Sequence, residues 1–214
     1  MMSLADSLAS MSLRVSVDQC AQLSQYLALL AKWNRVYNLT AIRDPEQMIS
    51  EHLLDSLSLT PYVNGLRVLD VGTGGGLPGI PLAILLPDIE FTLLDSNAKK
   101  TRFVQQAVIE LKLNNVNVVC SRIEDYQPDA APQQITSRAF AKLRQFADGV
   151  AHLCAAKTQL LAMKGKYPYK EIAELGDVEV EVIALTIPTM TVERHLVCFT
   201  PKAGIDFDAR ADRG

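Results

Sequence analysis

The stretch VLDVGTGGGLPGIPL, residues 68–82, places five glycines within eight residues, from Gly72 to Gly79, directly after an apolar run. Glycine weakens the interior of a helix or strand, and it is used where the backbone must turn at positive φ or lie close against a ligand. An apolar run, a glycine cluster and a second apolar pattern together describe a strand, loop and helix cradle. Backbone amides at such a turn hold a nucleotide-like molecule. The chain is therefore expected to be an α/β protein with a cofactor at the end of an early strand.

The remaining sequence agrees with that expectation. From residue 66, short β-rich runs alternate with helical patterns, which points to βαβ units and a parallel sheet. The runs are RVLDV (67–71), EFTLLD (90–95), NVNVVC (115–120), QITSRA (134–139) and TQLLAM (158–163), and residues 97–112 form the clearest crossover helix. VEVEVIALTI (178–187) and ERHLVCFT (193–200) are separated by a short Pro-Thr-Met-Thr connection. That connection is too short for a helical crossover, so an antiparallel hairpin is expected at the edge of the sheet. Five alternating strands closed by a hairpin is the organisation of the class I S-adenosylmethionine (SAM)-dependent methyltransferase sheet, a Rossmann-like, mostly parallel α/β fold.

Residues 16–60 read as helices. Ser16 and Gln19 have capping-box spacing, and Leu23, Leu27, Leu30, Trp33 and Tyr37 then mark one helical face. Asp44-Pro45-Glu46 starts a second helix, with Met48, Ile49, Leu53 and Leu57 as its apolar members and a stop near Pro61. The chain thus divides into an N-terminal helical extension (1–64), a methyltransferase-like domain (65–201) and a polar tail (202–214). At 214 residues and 49% apolar, it holds enough material for one such core. The start lacks a signal-peptide pattern and no apolar run reaches membrane-spanning length, so a cytoplasmic protein with no membrane partner is expected. Cys20, Cys120, Cys154 and Cys198 are widely spaced without a CxxC pair. They are expected to be reduced thiols packed as small hydrophobes, with no metal site.

Two cofactors fit the glycine loop. Gly74, Gly76 and Gly79 satisfy GxGxxG, and Asp95 near the end of the next strand can hold ribose hydroxyls, which suits a nicotinamide dinucleotide. Asp70-x-Gly72-x-Gly74-x-Gly76 is the acidic-then-glycine pattern of SAM sites, where a carboxylate attracts the cationic amino group of the methionine moiety. Both cofactors have a ribose for Asp95, but only SAM has an α-amino group for Asp70. The closing hairpin and the lack of a substrate domain also favour SAM.

Absent motifs narrow the acceptor. Enzymes that methylate exocyclic amines commonly carry Asp/Asn-Pro-Pro-aromatic after the fourth strand, where this chain has Thr136-Ser137-Arg138-Ala139-Phe140. Methylation at carbon 5 of a pyrimidine needs a cysteine nucleophile, and Cys120 lacks the neighbouring proline and basic partners, so it reads as a core residue. An acceptor with its own lone pair, such as guanine N7, remains. It needs no general base, only alignment and a suitable field.

The net charge of −3 does not announce a nucleic-acid binder, so any basic surface must be local. Between residues 138 and 170 there are seven basic residues and one acidic one, Asp148. In a doubly wound sheet the ends of strands four and five open on the ligand crevice. Arg138 and Lys164 are therefore expected at its mouth, where a basic rim suits phosphates. His52 and Asp55 read equally well as facing that crevice or as a packing pair. His195 reads as structural.

WNRVYNLTAIRD (33–44), EHLLDSL (51–57), LDVGTGGGLPGIPLAI (69–84), LLDSNAKKTRF (93–103), SRIED (121–125), TSRAFA (136–141), MKG (163–165) and ERHLV (193–197) together resemble the RsmG, or GidB, family from about residue 20 to 201. LPGIPL after the glycines, and the NLT and H-x-x-D-S signatures, are more specific than the glycines themselves. Gly75 stands where the family often has proline, and Met163 where leucine is usual. The resemblance implies a bacterial SAM-dependent methyltransferase acting on guanine N7 of 16S ribosomal RNA, within the small subunit, in a loop near the decoding region. It implies cofactor contacts at Gly72, Leu77, Ile123, Glu124 and Arg138. Class I analogy adds Asp70, Gly74, Gly76 and Asp95. Arg138 is expected to position cofactor and acceptor, Arg144, Lys164 and Lys166 to hold RNA phosphates, and the protein to act as a monomer. The alternatives are a SAM-dependent enzyme for a small-molecule or protein acceptor, and a non-catalytic RNA binder in ribosome assembly.

Overall fold

The computed structural model describes residues 4–138 and 142–201. The polar tail expected at 202–214, and Ala139 and Phe140 of the segment compared above with the amine-methylation motif, lie outside the described residues.

A seven-stranded sheet organises the chain in the order β3-β2-β1-β4-β5-β7-β6. Its strands are β1 (Arg67–Val71), β2 (Glu90–Asp95), β3 (Val116–Cys120), β4 (Gln134–Ser137), β5 (Gln159–Lys164), β6 (Val180–Ala184) and β7 (His195–Phe199). β1 to β5 are mutually parallel where they pair. β7 runs antiparallel between β5 and β6, so the expected hairpin is present, with its second strand inserted next to the parallel sheet. This insertion sets Lys164 directly opposite His195. Successive strand residues point to opposite faces, and two apolar cores result. Val68, Phe91, Leu93 and Leu161 face one core, and Leu69, Leu94, Ile135 and Leu160 face the other.

The first face is covered by the N-terminal helices α1 (Leu4–Ser10) and α2 (Val17–Tyr37), with α5 (Gly79–Leu85) and α6 (Ala98–Leu111). The Ser16 and Gln19 capping box forms as the sequence predicts. Gln19 also donates to the Ile84 carbonyl at the end of α5, and Gln22 to the Leu111 carbonyl at the end of α6. Tyr26, fully buried, donates its hydroxyl to the Gly75 carbonyl at 2.6 Å. Removing that hydroxyl would strand a buried acceptor, so the α2 contact is a direct brace on the glycine loop.

α2 ends at Asn38, which takes the left-handed conformation at φ 50°. The Asn34 side chain then holds the returning loop through Thr40 N and the Ile42 carbonyl. Asp44 caps α3 (Pro45–Gln47), as the sequence predicts, but the helix does not continue regularly. It widens into a π-helical stretch, Met48–Leu54, before α4 (Asp55–Leu57). A π turn carries more residues per turn than an α-helix. In and just after this stretch, polar His52 and Asp55 are buried together with Leu53, Leu54 and Leu57.

The thiols are free, but Cys120 is exposed. The expectation that it packs in the core is incorrect. β3 is an outer strand of the sheet, and Cys120 ends it.

Candidate active site

The glycine loop runs from the end of β1 to the start of α5. Gly72, at φ +69°, turns the chain so that the Gly72 and Thr73 amides both donate to the Leu94 carbonyl. A Cβ built on Gly72 would meet no atom within 4 Å, because that side of the loop faces a cavity of about 210 Å³. The cavity is lined by Gly72, Asp95, Ser121, Ile123 and Glu124, which brings together four of the residues predicted to hold cofactor.

Asp95 is nearly buried, and its carboxylate accepts from Gly74 N at 2.9 Å and from Asn97 N at 2.8 Å. Each carboxylate oxygen retains a further lone pair for a hydroxyl. Ile123 supplies an apolar wall. This cradle fits SAM: there is room against the bare Cα of Gly72, a carboxylate for ribose and an apolar side for adenine.

Asp70 and Leu77 lie behind the cavity wall. Leu77 packs in the first core. Asp70 is completely buried, and its Oδ2 accepts from Thr73 Oγ1 at 2.7 Å and from Gly79 N at 3.0 Å. The carboxylate thereby ties the beginning of the loop to the first residue of α5. Its Oδ1 is buried and has no partner, which leaves one anionic oxygen unsatisfied beneath a loop suited to a cationic ligand. Neither Gly74 nor Gly76 lines the cavity, and both shape the loop at positive φ.

A second cavity, of about 350 Å³, opens at the ends of β4 and β5. Arg138, which follows β4, and Lys164, which ends β5, both line it, together with Glu51, His52, Asp55 and Arg194. The π-helical stretch and α4 thus supply one wall and the sheet the other. Arg138 Nη1 donates to the Glu51 carbonyl at 3.1 Å and meets Asp55 Oδ2 at 3.5 Å. Arg194 Nε donates to the other oxygen of Asp55 at 3.1 Å. One buried carboxylate therefore holds two guanidiniums. Arg194 is not among the candidates the sequence singles out, although it lies in the ERHLV segment. Lys164 Nζ pairs with Glu171 at 2.7 Å. Arg144 pairs with Asp148 at 3.0 Å on its own helix, α7 (Leu143–Val150), and lines neither cavity, while Lys166 is exposed beyond the rim.

The titration of the buried groups follows from their surroundings. Burial, assisted by Arg138, lowers the His52 pKa to about 4. The ring is then neutral at pH 7, with Nε2 2.7 Å from Thr40 Oγ1 and Nδ1 3.2 Å from the Glu51 carbonyl. Burial raises Asp55, while Arg138 and Arg194 pull it back. Burial also raises Asp70 to about 6, against the hydrogen bonds from Thr73 and Gly79.

Two of these groups act oppositely on stability. From its ordinary 6.5 down to about 4, His52 takes up its proton in the unfolded chain first, so folding weakens as pH falls. Asp70 takes up its proton in the folded chain first, between about 6 and its ordinary 3.8, so folding gains over that window. Asp70→Asn removes only the second effect. On acidification from pH 6.5 to 4, the variant should lose about 2 kcal/mol more stability than the parent protein in urea titrations. An unchanged difference across that range would show that Asp70 is ionised throughout.

The fold, with its two cavities at the strand ends, is that of a class I SAM-dependent methyltransferase. Among solved structures, the chain is similar to the O-methyltransferase TomG from Streptomyces achromogenes in complex with SAM, with a TM-score of 0.56 at 16% identity, covering 92% of this chain and 96% of that one. It is also similar to a SAM-dependent methyltransferase from Aquifex aeolicus, with a TM-score of 0.56 at 18% identity, covering 80% and 98%. At such identities the likeness concerns the fold alone. The chain belongs to the rRNA small subunit methyltransferase G family, GidB, whose model matches residues 19–197. It is 54% identical over 197 residues to ribosomal RNA small subunit methyltransferase G of Chromobacterium violaceum, covering 91% of this chain and 94% of that protein. It is 51% identical to the Pseudomonas aeruginosa protein of the same name, covering 90% and 94%.

Proposed function

We propose that this chain methylates N7 of a guanine in 16S ribosomal RNA, using SAM held in the smaller cavity and receiving the base in the larger one. Membership of the family supports an RNA acceptor in the small subunit. The arrangement of the larger cavity carries the choice of chemistry: Arg138 and Arg194 share Asp55, Lys164 is matched by Glu171, and His52 is neutral.

The cofactor contributes an electrophilic methyl group: a C–N bond forms at N7 while the C–S bond breaks, the bonding pair stays on sulfur and the positive charge passes to the purine. No proton leaves the attacking atom, so no side chain has to accept one. What the chain supplies is alignment and a fixed field. Arg138, at the junction of the two cavities' strands, positions both reactants, and the carboxylates beside it keep the site from opposing the charge that develops on the base. Asp70 acts from behind the loop, its unpartnered Oδ1 favouring the ammonium end of SAM. Lys164 and Lys166 serve phosphates at the rim, and Arg144 serves the RNA away from both cavities. A guanine must leave its stack to enter, because the grooves of A-form RNA hide the base edges.

Both cavities are formed by one chain, so a monomer suffices for catalysis, and the bacterial cytoplasm is the compartment in which it would meet its substrate. No described helix is long and apolar enough to cross a membrane. The test is transfer of labelled methyl from SAM to small ribosomal subunits and to naked 16S RNA, followed by mapping of the modified nucleotide. Label at N7 of one guanine is the expected result. SAM binding without transfer to either RNA would move the assignment to a small-molecule or protein acceptor.

A further inference from the structure

We propose that Tyr167 and Tyr169, continued by His195, form a stacking platform for an unpaired nucleotide of the RNA that neighbours the methylated base. This rests on RNA being the acceptor, as argued above. The segment begins at the larger cavity, since Lys164 and Gly165 line its wall. The chain then runs Lys166-Tyr167-Pro168-Tyr169-Lys170 across the adjacent surface.

The rings form a row. The centroids of Tyr167 and Tyr169 lie 4.2 Å apart, and Tyr167 meets His195 edge-on at 5.5 Å. His195 is fixed beside the cavity wall, because its Nδ1 lies 2.8 Å from the Gly165 carbonyl and its backbone faces Lys164 across the β5–β7 pairing. The row therefore leads outward from the rim. Tyr169 is 74% exposed and Tyr167 39%, so aromatic surface is presented to solvent where a core would normally take it.

The charges around the rings suit a phosphate chain. Lys166 and Lys170 flank them and are exposed. Of the carboxylates that follow on the same segment, Glu171 is engaged by Lys164 Nζ and the Leu143 amide, and Glu174 by Lys142, while exposed Glu193 lies two residues from His195. Aromatic rings interleaved with lysines are how proteins hold single-stranded nucleic acid without reading its sequence, since every base has a π-face. The position beside the cavity supplies the reason for a platform here. A base drawn into the cavity leaves its neighbour without a stacking partner, and Tyr169 replaces the lost surface.

The experiment compares the full-length protein with Tyr167→Ala/Tyr169→Ala, Tyr167→Phe/Tyr169→Phe and Lys166→Ala. Methyl transfer to small subunits, retention of naked 16S RNA on filters, and SAM affinity are each measured over a range of salt. The double alanine variant should raise KM and weaken RNA retention roughly tenfold, with kcat and SAM affinity unchanged. The double phenylalanine variant should behave as the parent. The salt slope of binding should stay constant when the tyrosines are removed and fall by about 1 in Lys166→Ala. Parental KM and retention in the double alanine variant would overturn the platform. So would a raised KM on subunits with unchanged retention of naked RNA, which would mean that a ribosomal protein docks there instead. Absence of transfer to any RNA by the parent protein would remove the underlying functional reading, a different failure from that of the platform.

Discussion

Arg138→Ala should lower kcat/KM for methyl transfer by roughly 100-fold or more, the loss typical when one preorganised donor is removed from the reacting charge. The fold should survive. The Arg138 side chain is 24% exposed, and its loss still leaves Asp55 paired with Arg194 Nε at 3.1 Å. A shift of about 5 °C or less in melting temperature is expected, which corresponds to about 1–2 kcal/mol in a chain of this length. Arg138→Lys keeps the charge but not the planar guanidinium, whose Nη1 reaches the Glu51 carbonyl and Asp55 while Nη2 lies 3.4 Å from His52 Nδ1. It should recover only a small part of the rate. SAM affinity by calorimetry, kcat and KM on small subunits, and thermal melting separate the possible causes. Parental activity in Arg138→Ala would remove Arg138 from the site and leave it as a tether between the sheet and the π-helical stretch.

How much of this was legible in the sequence depends on the range of the interactions involved. β1, β2 and the capping box are set by neighbouring residues, and their positions agree with the reading of RVLDV, EFTLLD and Ser16 with Gln19. The glycine loop was equally plain, because positive φ and close approach leave a compositional mark. The π-helical stretch leaves none: Met48, Ile49, Leu53 and Leu57 satisfy an ordinary helical period, and the wider turn that buries His52 and Asp55 depends on what packs over them. Arg194 was harder still. It reaches Asp55 across 139 residues of sequence, and only because β7 inserts between β5 and β6. A local reading could find the hairpin but not that order of strands. The run of basic residues shows in the sequence but its pairing does not, since Lys164 is matched by Glu171, seven residues away in the short helix Tyr169–Glu174.

The two ends of the glycine loop should fail in opposite ways when given a methyl group. At Gly79 a Cβ would lie 2.1 Å from Leu93 Cδ2 and 2.8 Å from Asp70 Oδ2. Leu93 is fully buried on β2, and the Asp70 carboxylate is held by Thr73 and by the Gly79 amide itself, so neither can retreat. Gly79→Ala must push α5 off the sheet or break the Asp70 tie. The expected cost is about 3 kcal/mol or more, a loss of about 6–12 °C in melting temperature or failure to accumulate folded protein. At Gly72 there is no protein atom within 4 Å of the added Cβ, and only the strain of φ +69° opposes the change. That costs about 1–2 kcal/mol for an L-residue. Yet the Cβ would stand inside the cavity that fits the cofactor. Gly72→Ala should therefore melt only a few degrees low while binding SAM at least roughly tenfold more weakly, because close backbone approach is what glycine provides at such loops. Melting curves with and without SAM measure both quantities in one experiment. SAM should raise the melting point of the parent clearly and that of Gly72→Ala scarcely at all. If Gly72→Ala retained the full shift, the cofactor would have to lie away from the 72–95 cavity, and the placement of SAM between Gly72, Asp95 and Ile123 would be wrong.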